Sequence, residues 1–94
     1  MSQNLRVLEN FLALSEAMAR AAAAQEWDSL ARADEERGTL ADKLPDDLGA
    51  QLPPSEQGQA RTLIERCQHL DAQTRTLVEE RQKSLRILLR ETSP

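Results

Sequence analysis

A stripe of mostly apolar side chains recurs every three or four residues along the second half of this chain, and this spacing constrains the fold most. Its positions are Ala60, Leu63/Ile64, Cys67, Leu70, Thr74, Leu77/Val78, Arg81, Leu85 and Leu88. Because an α-helix has 3.6 residues per turn, the spacing puts these residues on one helix face. It predicts a long helix over residues 55–91, and about four heptads of such a pattern are typical of a coiled coil.

Composition excludes the main alternative to a helical fold. Of 94 residues, 15 are Leu and 13 are Ala, whereas Val and Ile contribute two each and the aromatic residues are Phe11 and Trp27. Strands favour β-branched and aromatic side chains, so the composition argues against a β fold. We therefore expect a single all-α domain over residues 1–94.

Two further helices are predicted in the first half of the chain. Apolar residues repeat at helical spacing over residues 3–23 and 26–43, and Ser2 or Asn4 can cap the first of these helices. The two stripes are out of phase by one residue. This slip favours a break near Gln25, with a single bent helix as the alternative.

Prolines separate these two helices from the long one. Three of them fall within residues 45–54, which we interpret as a linker because proline cannot continue a helix. Inside the linker, Asp46 can cap one helical turn, and Leu48 and Leu52 are spaced to hold that turn against the bundle. Ser55 is the predicted N-cap of the long helix.

The predicted helix lengths do not match. At 1.5 Å per residue the first two helices are about 32 and 27 Å long, and the third is about 55 Å long. If the first two fold back on each other, a three-helix bundle leaves half of the third helix's apolar stripe uncovered. If they run end to end, the fold is an antiparallel helical hairpin with one seam. Both arrangements expose apolar surface, so we expect a dimer or a bound partner helix.

The sequence lacks the patterns of a catalytic or metal site. His69 and Cys67 lie about 200° apart on a helix, so they cannot share a metal. Glu65 and His69 have the spacing of a di-iron ligand pair, but the second Glu-x-x-His is missing. Cys67 falls on the apolar stripe, which favours a small buried hydrophobe over a nucleophile. Acidic pairs such as Glu35-Glu36 are predicted to be surface charge. We expect no enzymatic activity and no cofactor.

Charge and hydropathy limit the partners and the location. The net charge of −4 and the shortage of aromatic residues argue against nucleic-acid binding. The chain has no run of 18 apolar residues, and its N-terminus lacks the features of a signal peptide. A single cysteine fits a reducing compartment. We therefore expect a cytoplasmic protein without membrane insertion.

Charge is spread unevenly, and two interpretations of this stay open. Residues 26–47 carry eight acids against three bases, and residues 72–94 carry five bases against three acids. Pairing between antiparallel helices is one explanation, and an acidic docking surface for a basic partner is the other. Trp27 also has two interpretations, because a lone Trp is typical either of a core plug or of an anchor at a partner groove.

Several segments together resemble a known family. An Ala-rich helix end runs from Met18 into Trp27-Asp28 and Leu30, followed by Ala33-Asp-Glu-Glu-Arg37 and Leu40. The later matching segments are Ile64-Glu-Arg-Cys-Gln-His-Leu-Asp71, Leu77-Val-Glu-Glu-Arg81 and Leu85. Over roughly residues 5–90 the chain resembles the FliT family of flagellar export chaperones.

The resemblance implies a cytoplasmic, homodimeric and non-catalytic chaperone of type III secretion. Such a chaperone binds the C-terminal segment of the filament-cap protein, prevents its premature assembly and delivers it to the export ATPase and the export gate. Some family members also bind the flagellar transcription activator. Family members carry a further C-terminal helix over the partner groove. This chain ends at Pro94, directly after the third predicted helix, so we expect that further helix to be missing.

A client that is an amphipathic helix or a disordered tail requires an apolar groove between helices. We predict a partner-binding groove lined by Leu5, Leu8, Leu12, Trp27, Leu30, Leu63, Leu70 and Leu77. The alternative function is a non-catalytic dimeric coiled-coil adaptor with no export client.

Overall fold

The structure, a computed structural model, describes residues 2–92, without the side chain of the last of these. Its helices are α1 (Gln3–Ala23), α2 (Trp27–Ala41), α3 (Leu48–Gln51) and α4 (Pro54–Thr92). No strand occurs among the described residues. The predicted all-α fold with a long last helix is confirmed, and the linker contains one further helical turn.

The start of α1 is fixed by Ser2. Its hydroxyl oxygen accepts a hydrogen bond from the backbone N–H of Leu5 at 3.2 Å, so Ser2 rather than Asn4 is the N-cap. The buried residues of α1 follow the helical spacing expected from the sequence: Leu5, Leu8, Leu12, Ser15, Met18, Ala21 and Ala22. This face of α1 is therefore covered along its whole length.

The break between the first two helices lies at Gln25, whose φ of 61° is in the left-handed region. The N–H of Gln25 donates to the carbonyl of Ala22 at 3.1 Å, and the N–H of Glu26 donates to the carbonyl of Ala21 at 2.8 Å. This pair of bonds is a Schellman motif, which ends α1 and redirects the chain. The one-residue slip in the apolar pattern thus marks a real turn, and α2 starts one residue later than the sequence predicts and ends two residues earlier.

Two contacts at opposite ends of the bundle establish the topology. At one end the backbone N–H of Ser2 donates to Oε1 of Glu56 at 3.0 Å, so α1 and α4 start side by side. At the other end the guanidinium of Arg81 lies over the ring of Trp27, 4.6 Å from its centroid. Helices α1 and α4 are therefore parallel, α2 is antiparallel to both, and α1 packs against each of them. The molecule measures 61 × 22 × 20 Å.

The linker folds back onto the core. Leu52 is buried in the main cluster and Leu48 is half-buried against it, as the spacing of the two residues predicts. The N-cap of the single turn α3 is Asp47, one residue after the predicted Asp46. Helix α4 begins at Pro54, so Ser55 lies inside the first turn and the expectation of a Ser55 N-cap is wrong. The fixed φ of proline suits a first helical position, where an N–H has no partner within the helix.

Candidate partner-binding surface

Arg37, on α2, lies at the centre of a polar cluster that joins three helices. Its Nη1 donates hydrogen bonds to Oγ of Ser15 on α1, at 3.1 Å, and to Oδ1 of Asp71 on α4. Its guanidinium lies 5.1 Å from the centroid of the Phe11 ring, and its Nη2 is 3.6 Å from Oδ1 of Asp34. Arg37 and Asp71 belong to two separate segments that carry the family resemblance, and the fold brings them together.

The polar groups of this cluster hydrogen-bond to one another. Ser15 is fully buried, and its hydroxyl donates to the carbonyl of Phe11 at 3.0 Å while accepting from Arg37. The hydroxyl therefore uses its proton in the bond to Phe11 and also accepts a hydrogen bond. The Arg37 side chain is 17% exposed and the Asp71 side chain 32%, so this ion pair is partly shielded from water. The pair joins the antiparallel helices α2 and α4, but it uses a base of the acidic segment and an acid that lies outside the basic segment, so it does not account for the uneven charge.

Two other candidate chemical groups, Cys67 and His69, lie in different surroundings on α4. Cys67 is buried in the core, and burial raises the pKa of its thiol, which keeps the thiol in its unreactive protonated form. His69 is exposed on α4, with its Nε2 3.2 Å from Nε2 of Gln73. Within residues 2–92 no three His, Cys, Asp or Glu side chains are grouped so that they could hold a metal ion.

Four of the eight predicted groove residues lie in the core. Leu5, Leu8 and Leu12 on α1 are buried together with Leu63 on α4. They are covered because the apolar stripes of two parallel helices face each other. A partner reaches these four side chains only if α1 separates from α4.

The remaining four predicted groove residues are half-buried and do not form one surface. Trp27 and Leu77 line a common pocket, whereas Leu70 lines a different one beside Glu16. Leu30 lies on α2 away from both pockets. The structure therefore brings Trp27 and Leu77 together in one pocket, which Leu30 and Leu70 do not line.

The pocket at Trp27 lies where α1 turns into α2. It has a volume of about 280 Å³, and its lining combines the apolar Ala22 and Leu77 with the polar Glu80, Arg81 and Ser84. Trp27 is half-buried, since Arg81 covers one face of its ring. The indole is thus neither enclosed as a core plug nor fully open to solvent. The pocket is somewhat smaller than most small-molecule sites, which measure about 300–1,000 Å³, and is of a size to take a single side chain.

Helix α4 continues beyond this pocket, past the end of the helices packed beside it. We call residues 81–91 the α4 overhang: each of them is exposed. Leu85 is 42% exposed and Ile87 is 49% exposed, and Leu88 and Leu89 are more so. The predicted groove does not include these residues. The mismatch in predicted helix lengths was the available signal, because two shorter helices folded back on each other leave half of the long helix's apolar stripe uncovered.

The overhang carries the opposite charge to the chain as a whole. Its four bases, Arg81, Lys83, Arg86 and Arg90, face a single acid, Glu91. Both of the ion pairs found among the described residues are made by Arg37. None of the four overhang bases therefore forms an ion pair with an acid in that part of the chain. On α2, Glu35 and Glu36 are exposed, as predicted for surface charge. The molecule therefore has an acidic side at α2 and a basic, apolar end at α4.

No helix in the described part of the chain combines the length and apolar character that crossing a bilayer requires. The family model described as "Flagellar protein FliT" matches residues 5–94. No curated protein and no solved structure gives a significant match.

Proposed function

The chain belongs to the FliT family of flagellar proteins, and on that premise we propose that it is a non-catalytic, cytoplasmic type III export chaperone. Its client is the C-terminal segment of the filament-cap protein, which it keeps from premature assembly. It then delivers this client to the export ATPase and the export gate. A homodimeric state and contact with the flagellar transcription activator belong to the same proposal and rest on family membership alone.

The observation that supports a chaperone most directly is exposed apolar surface on a rigid support. The α4 overhang presents Leu85 and Ile87 to solvent, and it adjoins the pocket at Trp27. Small soluble proteins rarely keep neighbouring large apolar side chains exposed unless something covers them, and a partner segment is the usual cover. An amphipathic helix laid along such a surface is a common mode of peptide recognition.

The polar groups of the bundle support the non-catalytic part of the proposal. Ser15 and Asp71 are both committed to Arg37, and the thiol of Cys67 is held protonated by burial. Nucleophilic catalysis requires an activated nucleophile beside a base. The side chains of this cluster satisfy one another instead, and they hold three helices in one arrangement.

A coiled-coil adaptor without an export client is the second candidate. One observation favours it: Leu85 and Leu88 continue the three-four stripe of α4 beyond the bundle, as the seam of a two-stranded coiled coil would. An adaptor of this kind is a dimer that binds no cap-protein segment. Binding of the cap-protein segment therefore distinguishes the two functions.

Calorimetric titration of the full chain with the C-terminal segment of the cap protein from the same genome tests the proposal. We expect a Kd of about 10 μM or tighter, weakened about tenfold or more by Trp27→Ala, since an anchor side chain contributes about 2 kcal/mol. Leu40→Ala is the matched control, because Leu40 is also half-buried on α2 but lies at its other end. Far-UV circular dichroism verifies that both variants keep their helices.

Absence of binding at about 100 μM segment would refute the client assignment and leave the adaptor as the better account. Binding that Trp27→Ala and Leu40→Ala weaken equally would keep the chaperone but remove Trp27 as an anchor.

A further inference from the structure

Two exposed leucines of the α4 overhang lie directly above the residues that α4 packs against the bundle. Five helical turns are about 18 residues, so Leu85 lies above Cys67 and Leu88 lies above Leu70. Cys67 is buried in the core cluster with residues of α1, and Leu70 packs against that cluster. Leu85 and Leu88, which we call the overhang strip, therefore lie on the side of α4 that α1 occupies lower in the bundle.

Most bases of the overhang lie on the other side of the helix. Lys83 is five turns beyond Glu65 and Arg86 is five turns beyond Gln68, and both Glu65 and Gln68 are exposed. Arg90 lies on this same solvent side, about 140° around the helix from the strip. The overhang strip can therefore be covered while these three bases stay in water.

The end of α1 limits what can lie on the overhang strip. Helix α1 ends at Ala23, so the strip is the wall of a step whose floor is the turn between α1 and α2. This step is about one helix diameter deep, roughly 10 Å, and the pocket at Trp27 lies in its corner. A flat lipid surface placed along α4 would meet α1 first. The occupant must therefore be about as narrow as a single helix.

We propose that the overhang of a second copy of this chain occupies the step, with the two α4 helices antiparallel. The overhang has the required width and length, because the step exists only where α4 continues past α1. Each overhang then fills the step of the other copy, which gives a closed two-fold arrangement. This inference rests on the proposed function, since it assigns an interface and an orientation to the homodimer included there.

The heptad pattern of α4 sets the register of the pair. Leu85 and Leu88 occupy a and d positions, and in an antiparallel pair each a residue faces a d residue of the other helix. Leu85 of one copy therefore lies opposite Leu88 of the other. These side chains are 42% and 55% exposed in the single chain, and the pairing covers both.

Charge complementarity favours the antiparallel arrangement over a parallel one. In this register Glu91 of one copy lies beside Arg81 of the other. Both residues lie on the same flank of α4, about 120° and 40° around the helix from Leu85, and like flanks meet in an antiparallel pair. A parallel pair would instead place Arg81 beside Arg81, and α1 of one copy would collide with α1 of the other.

The interface is small, so the dimer is weak and exchangeable. The eleven overhang residues extend about 16 Å, and a contact of that length and one helix wide is well below the roughly 800 Å² per partner of a standard interface. We therefore expect a Kd of about 10–100 μM. Because the client is proposed to bind the same apolar surface, the second copy covers this surface until a client displaces it.

Sedimentation equilibrium and small-angle X-ray scattering of the full chain test the proposal. Between about 5 and 500 μM we expect the monomer to give way to a dimer. The maximum dimension should rise from about 61 Å to about 105 Å, because two molecules of that length overlap by about 16 Å.

Leu85→Asp should abolish the dimer, and Ile87→Asp is its matched control. Ile87 is 49% exposed against 42% for Leu85, but it lies about 160° around the helix from Leu85. Glu91→Arg should weaken the dimer about threefold or more, and adding Arg81→Glu should recover the loss, because the exchanged charges attract again. Far-UV circular dichroism verifies that each variant keeps its helices.

Three results would overturn the proposal: a monomer at about 500 μM, equal effects of Leu85→Asp and Ile87→Asp, or a dimer no longer than the single chain. Titration with the cap-protein segment separates this inference from the proposed function. If that segment binds and the chain is a monomer throughout, the client assignment stands and the inference fails. If the long dimer forms and the segment does not bind, the inference stands and the client assignment fails. If both occur, the segment should convert the dimer to a one-to-one complex, and a dimer that persists with the segment bound would refute the displacement.

Discussion

Replacing Arg37 by alanine is the perturbation whose effect the structure defines most completely. The substitution removes charged hydrogen bonds to Ser15 and Asp71 and the contact with the ring of Phe11. A hydrogen bond to a charged group contributes about 1.5–3 kcal/mol, and a half-buried cation–π contact about 0.5–1 kcal/mol. Asp71 is 32% exposed and regains water when Arg37 is lost, so the full penalty of a stranded buried charge does not apply.

Added directly, these contributions exceed about 3 kcal/mol. Because water largely replaces Arg37 at Asp71, the Asp71 bond counts only in part, and we expect a loss of about 2–3 kcal/mol in the free energy of unfolding. For a domain of this size, 1 kcal/mol shifts Tm by about 4–8 °C, so Arg37→Ala is expected to lower Tm by about 10–20 °C. Thermal and urea unfolding followed by circular dichroism measure both quantities. Arg37→Lys should recover only part of the loss, because an ammonium keeps the charge but lacks the planar fork that serves two acceptors.

Two controls make the reasoning refutable. Arg32→Ala changes an exposed arginine of the same helix and should alter stability by no more than about 0.5 kcal/mol. A double-mutant cycle of Arg37→Ala with Asp71→Ala should give a coupling free energy of about 1 kcal/mol or more. If Arg37→Ala costs no more than Arg32→Ala, or if the coupling is below about 0.3 kcal/mol, the cluster does not hold the three helices together.

Three further predictions concern single groups. Among the described residues the buried Thr74 hydroxyl has no hydrogen-bond partner, so Thr74→Val should raise the free energy of unfolding by about 1 kcal/mol in urea titrations. The same substitution at the exposed Thr76 should change it little. Gln25→Gly should raise the free energy of unfolding by about 0.5–1 kcal/mol, and Tm with it, because glycine tolerates the left-handed backbone. Ala24→Gly, at a right-handed position, should lower Tm. Hydrogen bonding by the side chain and by the backbone N–H of Ser2 lowers the pKa of Glu56. The contribution of Glu56 to stability is therefore complete above its ordinary pKa of 4.5 and is lost as pH falls through the folded value. Acid unfolding of Glu56→Gln should show a weaker pH dependence, and an unchanged profile would contradict this.

Local periodicity was sufficient to predict the helices, because each apolar stripe records the face that a helix buries. The buried face of α1 follows the predicted spacing from Leu5 to Ala22, and the phase slip at Gln25 located the turn. Caps were less predictable, since neighbouring residues compete for the same role. Pro54 starts α4 ahead of Ser55, although serine is the better N-cap by preference.

The partner-binding surface was harder to predict from the sequence than the helices were, for a different reason. A stripe such as Leu5, Leu8 and Leu12 has the same pattern whether it faces another helix of the chain or a client, so periodicity alone could not separate core from groove. The pairing of Arg37 with Asp71 joins residues 34 positions apart, and it depends on how three helices pack. Only the helix lengths carried information about the exposed surface, since both arrangements that they allow leave apolar surface uncovered.

The continuity of α4 has a consequence for the thermodynamics of binding. Starting a helix is the unfavourable step of helix formation, whereas adding a turn to an existing helix is nearly neutral. Because the bundle already holds α4 from Pro54 onward, the overhang is pre-organised, and most of the ordering entropy on association is lost by the partner. The same continuity predicts a gradient of amide hydrogen exchange along α4, with protection highest beside Cys67 and declining steadily toward Glu91.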